Sequence, residues 1–429
     1  MFLMTYSQNS PRIETDALFS WFIVCCGIVG AMNLAKLAPC MGKLIDYFNI
    51  SLSISGLLGA IFSILMIFTG LITGIFISKY GPRLAMLLGL FISLIGGLAP
   101  VFYPVLSVLM IGRIFEGYGF LLINLSAPVL LTLHTNDHNR GRIMGIWGSF
   151  MPAGNALIIL LAPLIYSISA WWLLWGVSSS FAAIILFFAF FMIPSDPKQF
   201  KYKFPHKLSS IVVQTLKKGS VAVIGLTFAC HSLIFLGNMQ FLSYYFEKIL
   251  GHAPTFSYLA TASYCLISFL GHLFCGFLLN NGYKPKNLLS FAFVTAGLFV
   301  AFFFGVFDVF LSSKIDTTLR LGSILLAAFF MGLTPPTIFY LVSYINPPSR
   351  ITPINYGYMV QFQAIGIFSG SFLYGWLVDL TEGWVIVGFL SILISILGII
   401  GGIISSKFIV SDTNEINHLG SSSIALHLC

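Results

Sequence analysis

Three formally charged side chains, Lys36, Arg113 and Glu116, lie deep inside long apolar runs of this sequence. A charged side chain at a bilayer centre costs at least about 2.5–3.5 kcal/mol on insertion scales, so such residues mark pathways, relays or paired partners. Arg113 carries a guanidinium, which pairs a carboxylate through two parallel bonds. It is either an anion-binding group in a cavity or the structural partner of Glu116, one helical turn away. At 100° per residue Phe120 and Asn124 project on the same face, so Arg113 heads a semi-polar stripe. Glu116 either carries a coupling proton or neutralises Arg113. Lys36 follows Asn33 by one turn and precedes Pro39; its stem reaches the membrane surface or turns inward to face Arg113. Two cations against one acid leave a net positive site, which favours an anionic ligand.

The second half of the chain contributes neutral polar groups. His231, Phe235, Asn238 and Tyr245 fall on one helical face, and His231 is either a proton-linked group or a hydrogen-bonded packing residue. His272 is a weaker candidate of the same kind. Gln361, Tyr340 and Tyr344 are further candidates for lining a cavity, and Pro335-Pro336 marks a bend. The substrate-binding candidates are therefore Asn33, Lys36, Arg113, Asn124, Asn238, Tyr245, Tyr340 and Gln361, with Glu116 and His231 for protons. No Cys/His cluster has metal-ligand spacing and no Walker motif is present, so neither a metal, a cofactor nor ATP drive is expected. Cys25, Cys26, Cys230, Cys265 and Cys275 lie within apolar runs, where a thiol behaves as a small hydrophobe.

These residues need elements that hold them in lipid. The chain has 429 residues, 58% hydrophobic and only 8% charged, with a mean hydropathy of +0.96. A soluble domain carries about a quarter charged residues, so most of this surface must meet hydrocarbon. Apolar runs long enough to span are expected at 18–40, 53–78, 84–103, 105–131, 143–167 and 170–193. The second set falls at 219–246, 255–279, 288–310, 319–345, 355–378 and 384–406. The net charge of +8 resides in short loops, where lysine and arginine orient a membrane protein instead of binding nucleic acid. Their alternation (Lys79, Arg83, Arg140, Arg142, Lys284 and Lys286 on one side, few on the other) predicts both termini in the cytoplasm.

The polar stretch 194–218 divides the chain. The expected plan is a tail (1–17), a six-helix bundle (18–193), a cytoplasmic loop (194–218), a second bundle (219–407) and a tail (408–429). Within the loop, Ser209 to Lys218 reads as an amphipathic helix on the inner surface. The halves form a weak repeat: GIFISKYGPR from Gly74 matches GFLLNNGYKP from Gly276 in position. Paired bundles around a midplane site are the plan of many secondary transporters.

At these residues the chain resembles the major facilitator superfamily. The loop signature Gly-x3-acid-basic-x-Gly-basic-basic appears as Gly74, Ser78, Lys79, Gly81, Pro82 and Arg83, with Ser78 replacing the acid of the usual charge relay at the cytoplasmic gate. Arg113, Gly117 and Gly119 match an Arg-x3-Gly-x-Gly helix, with Glu116 where the family often has Gln. GIWGSFMPAGNA from Gly145 supplies the Gly/Pro stretch of the fifth helix. The pair GRIFEGYGF and WGSFMPAG is similar to the cyanate/nitroimidazole branch, which implies small anions or organic solutes as substrates.

The expectation is an all-α membrane protein of about twelve transmembrane helices, a monomer in the inner (plasma) membrane with the bilayer and an anionic small molecule as partners. It would transport that solute by alternating access with proton coupling. The rival readings are a drug or metabolite efflux pump of the same fold, a membrane-embedded enzyme and a transporter-like sensor. His134, Asp137 and His138 form the one polar group at a membrane edge suited to an enzyme, and read better as a solvated loop.

Overall fold

The structure, a computed structural model, describes residues 17–134, 140–166, 170–196, 212–213, 215–216, 219–311, 316–345 and 352–417. Among them there is no strand, and twelve helices are long and apolar enough to cross a membrane. The first six are α1 (Leu18–Phe48), α2 (Leu52–Tyr80), α3 (Pro82–Phe102), α4 (Leu106–Leu133), α5 (Ile143–Ile165) and α6 (Trp172–Met192). The last six are α7 (Gly219–Ile249), α8 (Pro254–Asn280), α9 (Pro285–Phe303), α10 (Thr317–Val342), α11 (Pro353–Thr381) and α12 (Val385–Ser405). Residues 1–16 and 418–429, most of the central loop and of its expected surface helix, and the Asp137/His138 loop lie outside the described residues; the tail expected from 408 begins as helix, which continues from Val385 to Asn417.

Helices are the form the sequence must take, because in hydrocarbon every backbone donor and acceptor needs a partner within its own segment. At 1.5 Å per residue even the 19-residue α9 reaches about 28 Å, close to the thickness of the apolar layer. Gly81, at φ 96°, and Pro82 at the first helical position turn the chain from α2 into α3 in a single residue. A left-handed glycine followed by proline both ends one helix and starts the next.

Three boundaries depart from the apolar runs, one of them the end of the last helix, which runs to Asn417 and not 406. α1 runs to Phe48 because Leu37, Cys40, Met41 and Leu44 are buried while Lys43 and Asp46 face out. That spacing is an amphipathic stripe, which a search for continuous apolar residues truncates at 40. α9 stops at Phe303, not 310, because Gly305 adopts φ 80° and redirects the chain.

Small residues set the close approaches. On α3 and α4, a Cβ at Gly89 would meet the Gly119 carbonyl at 2.8 Å, and one at Gly96 the Gly112 carbonyl at 2.9 Å. The first six helices meet the last six mainly where α2 packs on α11 and α5 on α8. A Cβ at Gly70 would lie 2.6 Å from the Gly357 carbonyl, and one at Gly145 would lie 2.8 Å from the Gly276 Cα.

Candidate functional site

The first cluster begins with a proline. Pro39 lacks an N–H and its ring clashes with the carbonyl four residues back. The helix accordingly breaks at Lys36, between segments Ala17–Ala35 and Leu37–Phe48. Carbonyls at the break need donors, and the Arg113 guanidinium from α4 supplies them. Its Nη1 donates to the Asn33 carbonyl, and its Nη2 reaches the Leu34 carbonyl at 3.4 Å. Nη1 also donates to Glu116 Oε2 at 2.9 Å.

Glu116 turns its other oxygen to Lys36, whose Nζ donates to Oε1 at 2.5 Å. The same ammonium donates to Asn33 Oδ1 at 3.0 Å and to Ser178 Oγ on α6 at 2.8 Å. An ammonium has three N–H bonds, and all three are used. Trp175 offers its ring face to Lys36 at 4.9 Å, and Phe62 stacks on Arg113 at 4.6 Å. Gly97 on α3 leaves the room: a Cβ there would lie 3.2 Å from Glu116 Oε1 and 3.6 Å from Lys36 Nζ. Lys36, Arg113 and Glu116 are each 0% exposed. Lys36 therefore does not reach the membrane surface; it turns inward, one carboxylate bridging two cations. Removing one member of such a set leaves an uncompensated buried charge.

The polar stripe expected beyond Arg113 divides. Phe120 packs on Phe62 and Phe150, whereas Asn124 faces the last six helices, its Nδ2 donating to Gln363 Oε1 at 3.4 Å. Other helices bury aromatic pairs and neutral polar atoms. Trp147 stacks on Phe150 at 4.1 Å, and His231 stacks on Phe235, which stacks on Tyr264. Asn124 Oδ1, Trp147 Nε1, His231 Nδ1 and Asn238 Nδ2 are buried without a hydrogen-bond partner among the described residues. Buried polar atoms are nearly always paired, so the unpaired Asn124 Oδ1 at the contact with Gln363 points to a ligand or water position.

The remaining candidates scatter. Gln361 donates to the Ile67 carbonyl at 2.7 Å and packs on Gly70, so it closes the α2–α11 contact. Asn238 accepts from the Tyr374 hydroxyl at 3.3 Å, and His272 bonds the Ser268 carbonyl. Tyr340 packs against the Cys275–Leu333 cluster, and the Tyr344 side chain lies outside the described residues. Tyr245 starts a π-turn that runs to Ile249 and packs on Phe303, Phe304 and Trp384, away from His231. Seven residues of regular helix carry Tyr245 about 10 Å along the axis from Asn238.

At the loop signature, Ser78 donates to its own Gly74 carbonyl at 2.9 Å. The acid comes instead from beyond α6: Asp196 Oδ1 accepts from the Arg83 backbone N–H at 3.0 Å, while Arg83 Nη2 donates to the Phe190 carbonyl. Lys79 is exposed, over the Tyr80 ring, and Gly74 packs on Pro353 and Ile354 of α11. Ser178, Trp175, Phe62, Gln363 and Asp196 were not visible as site residues, since serine, aromatics and a loop acid carry no local signal in a chain this apolar. Gln363 alone had one, a second amide two residues past Gln361 and so on the other side of α11.

Residues 23–371 match the family model described as Major Facilitator Superfamily. An uncharacterised transporter of Buchnera aphidicola subsp. Baizongia pistaciae (strain Bp) is 24% identical over 343 residues, covering 78% of this chain and 84% of that protein. Inositol transporter 4 of Arabidopsis thaliana is 25% identical over 121 residues, 28% of this chain and 21% of that one. Among solved structures, the proton:xylose symporter XylE superposes with a TM-score of 0.73 at 16% identity, covering 91% of this chain and 95% of its own. The transporter FucP in its outward conformation gives 0.65 at 13% identity, covering 90% and 98%.

Proposed function

This chain belongs to the Major Facilitator Superfamily, and on that premise we propose that it is a proton-linked secondary transporter for a small organic solute, working by alternating access. Its relatives are transporters and not enzymes. The two sets of six helices act as the moving bodies, 18–193 and 219–407, with a monomer sufficient because one chain carries both. The loop charges support an orientation with both termini cytoplasmic, and bacterial relatives support the inner membrane.

The observation that carries the coupling role is the closed network of Lys36, Glu116 and Arg113. A proton placed on Glu116 removes the charge that holds both cations, so the tie between α1, α4 and α6 has two arrangements. Recognition falls to neutral groups, Asn124 and Gln363 where the two helix sets meet, with Trp147 and His231. A second reading, an anionic solute, keeps one specific observation: the network carries a net positive charge, and Arg113 Nε is a buried donor without a partner among the described residues. The finer likeness to the cyanate/nitroimidazole branch finds no support in the relatives above and rests on α4 and α5 alone.

Uptake of matched neutral and anionic solutes into proteoliposomes separates the two. Recognition by the neutral groups predicts that Asn124→Ala and Gln363→Ala raise KM for a neutral solute, by about tenfold for a lost buried hydrogen bond. An anion whose uptake is abolished by Arg113→Lys, with neutral solutes inert, establishes the second reading.

A further inference from the structure

We propose that the cavity at the Asp379 end of the molecule is a binding site for a small organic cation, an ammonium group on an apolar body. This site is separate from the network and from the neutral groups around Asn124, and it does not rest on the transport reading. The cavity has a volume of about 780 Å³, within the range of small-molecule sites. One wall is aromatic: Trp384 stacks on Phe304 at 5.8 Å and 11°, and Tyr245 meets Trp384 at 5.2 Å. Aromatic faces attract cations.

The lining charges agree. Asp308, Asp379 and Glu382 face one guanidinium, Arg320, so three negative charges against one positive leave an excess of two. Arg320 is already committed, donating to Asp308 and to the Phe303 carbonyl. Asp379 accepts from the Ser53 backbone and hydroxyl, bonds that leave its negative charge in place. Glu382 makes no ion pair among the described residues and is exposed at the rim. Tyr245 points independently to a ligand. Its side chain lines the cavity and is 5% exposed, and its hydroxyl has no hydrogen-bond partner among the described residues. An anion would be repelled here, and a neutral solute would gain nothing from the excess acid.

The test uses the full-length protein in lipid nanodiscs, with phenethylammonium and tetramethylammonium as probes and benzyl alcohol and benzoate as controls. Binding is followed by calorimetry and by tryptophan fluorescence. Both ammonium probes should bind, more weakly as salt rises, while the controls do not. Glu382→Gln, an exposed change that leaves the packing intact, should raise Kd about tenfold. Tyr245→Phe and Trp384→Leu should weaken binding as well, with melting temperatures showing that each variant is folded. The proposal is overturned by an absence of ammonium binding to the wild-type chain. It is equally overturned by binding that folded Glu382→Gln and Tyr245→Phe leave unchanged, or by equal binding of benzyl alcohol or benzoate.

Discussion

Lys36 has three N–H donors and three acceptors, and Glu116 has one cation on each oxygen. The consequences of breaking this set depend on which member is removed. Glu116→Gln leaves two buried cations facing each other and should cost about 3–5 kcal/mol, the penalty for an uncompensated buried charge. Lys36→Met leaves Glu116 and Arg113 as a neutral pair, so it should cost less although it removes three hydrogen bonds. Thermal melting in detergent orders them: Glu116→Gln should melt well below Lys36→Met, and the reverse order would show that Lys36 anchors the set. The three charges were legible in the sequence because nothing else charged lies at that depth. Their arrangement was not. Whether Lys36 turns in or out depends on Ser178, 142 residues away, and on the room left by Gly97, neither of which has a signal in a single sequence.

Helices meet across the middle of the molecule through glycine, and this sets what can move. At Gly70 a Cβ would crowd the Gly357 carbonyl, so Gly70→Val should disfavour the packed α2–α11 contact by about 1–3 kcal/mol, the usual cost of overpacking. That corresponds to a shift of about 5- to 150-fold toward the parted arrangement. The check is the alkylation rate of a cysteine placed at Thr73, which is buried here; the rate should rise in Gly70→Val and stay unchanged if the contact never parts. The helix count and most boundaries could be read from apolar runs because lipid imposes a length. The runs failed where the rule changes, at the amphipathic end of α1 and at the left-handed Gly305 after α9. They also gave no warning that Asp196 would take the place of the acid missing at Ser78.

For the whole molecule, the loop charges predict that both ends of the chain lie on one side. Alkaline phosphatase fused after Cys429 should be inactive and a fluorescent protein fused there should be bright; the opposite pair of results would invert the orientation. Twelve helices and their family could be inferred from composition and a few motifs, whereas the solute could not, since the groups between the helix sets are neutral, aromatic and drawn from four or more helices. The central claim is that Glu116 links solute movement to protons. Its most direct test compares two modes of transport in proteoliposomes for a solute that the wild-type protein accumulates under an imposed proton gradient. Glu116→Gln should still exchange labelled for unlabelled solute but should no longer accumulate it against its gradient, with Lys36→Met intermediate. Accumulation by Glu116→Gln at the wild-type level would contradict the account and leave the network a purely structural lock.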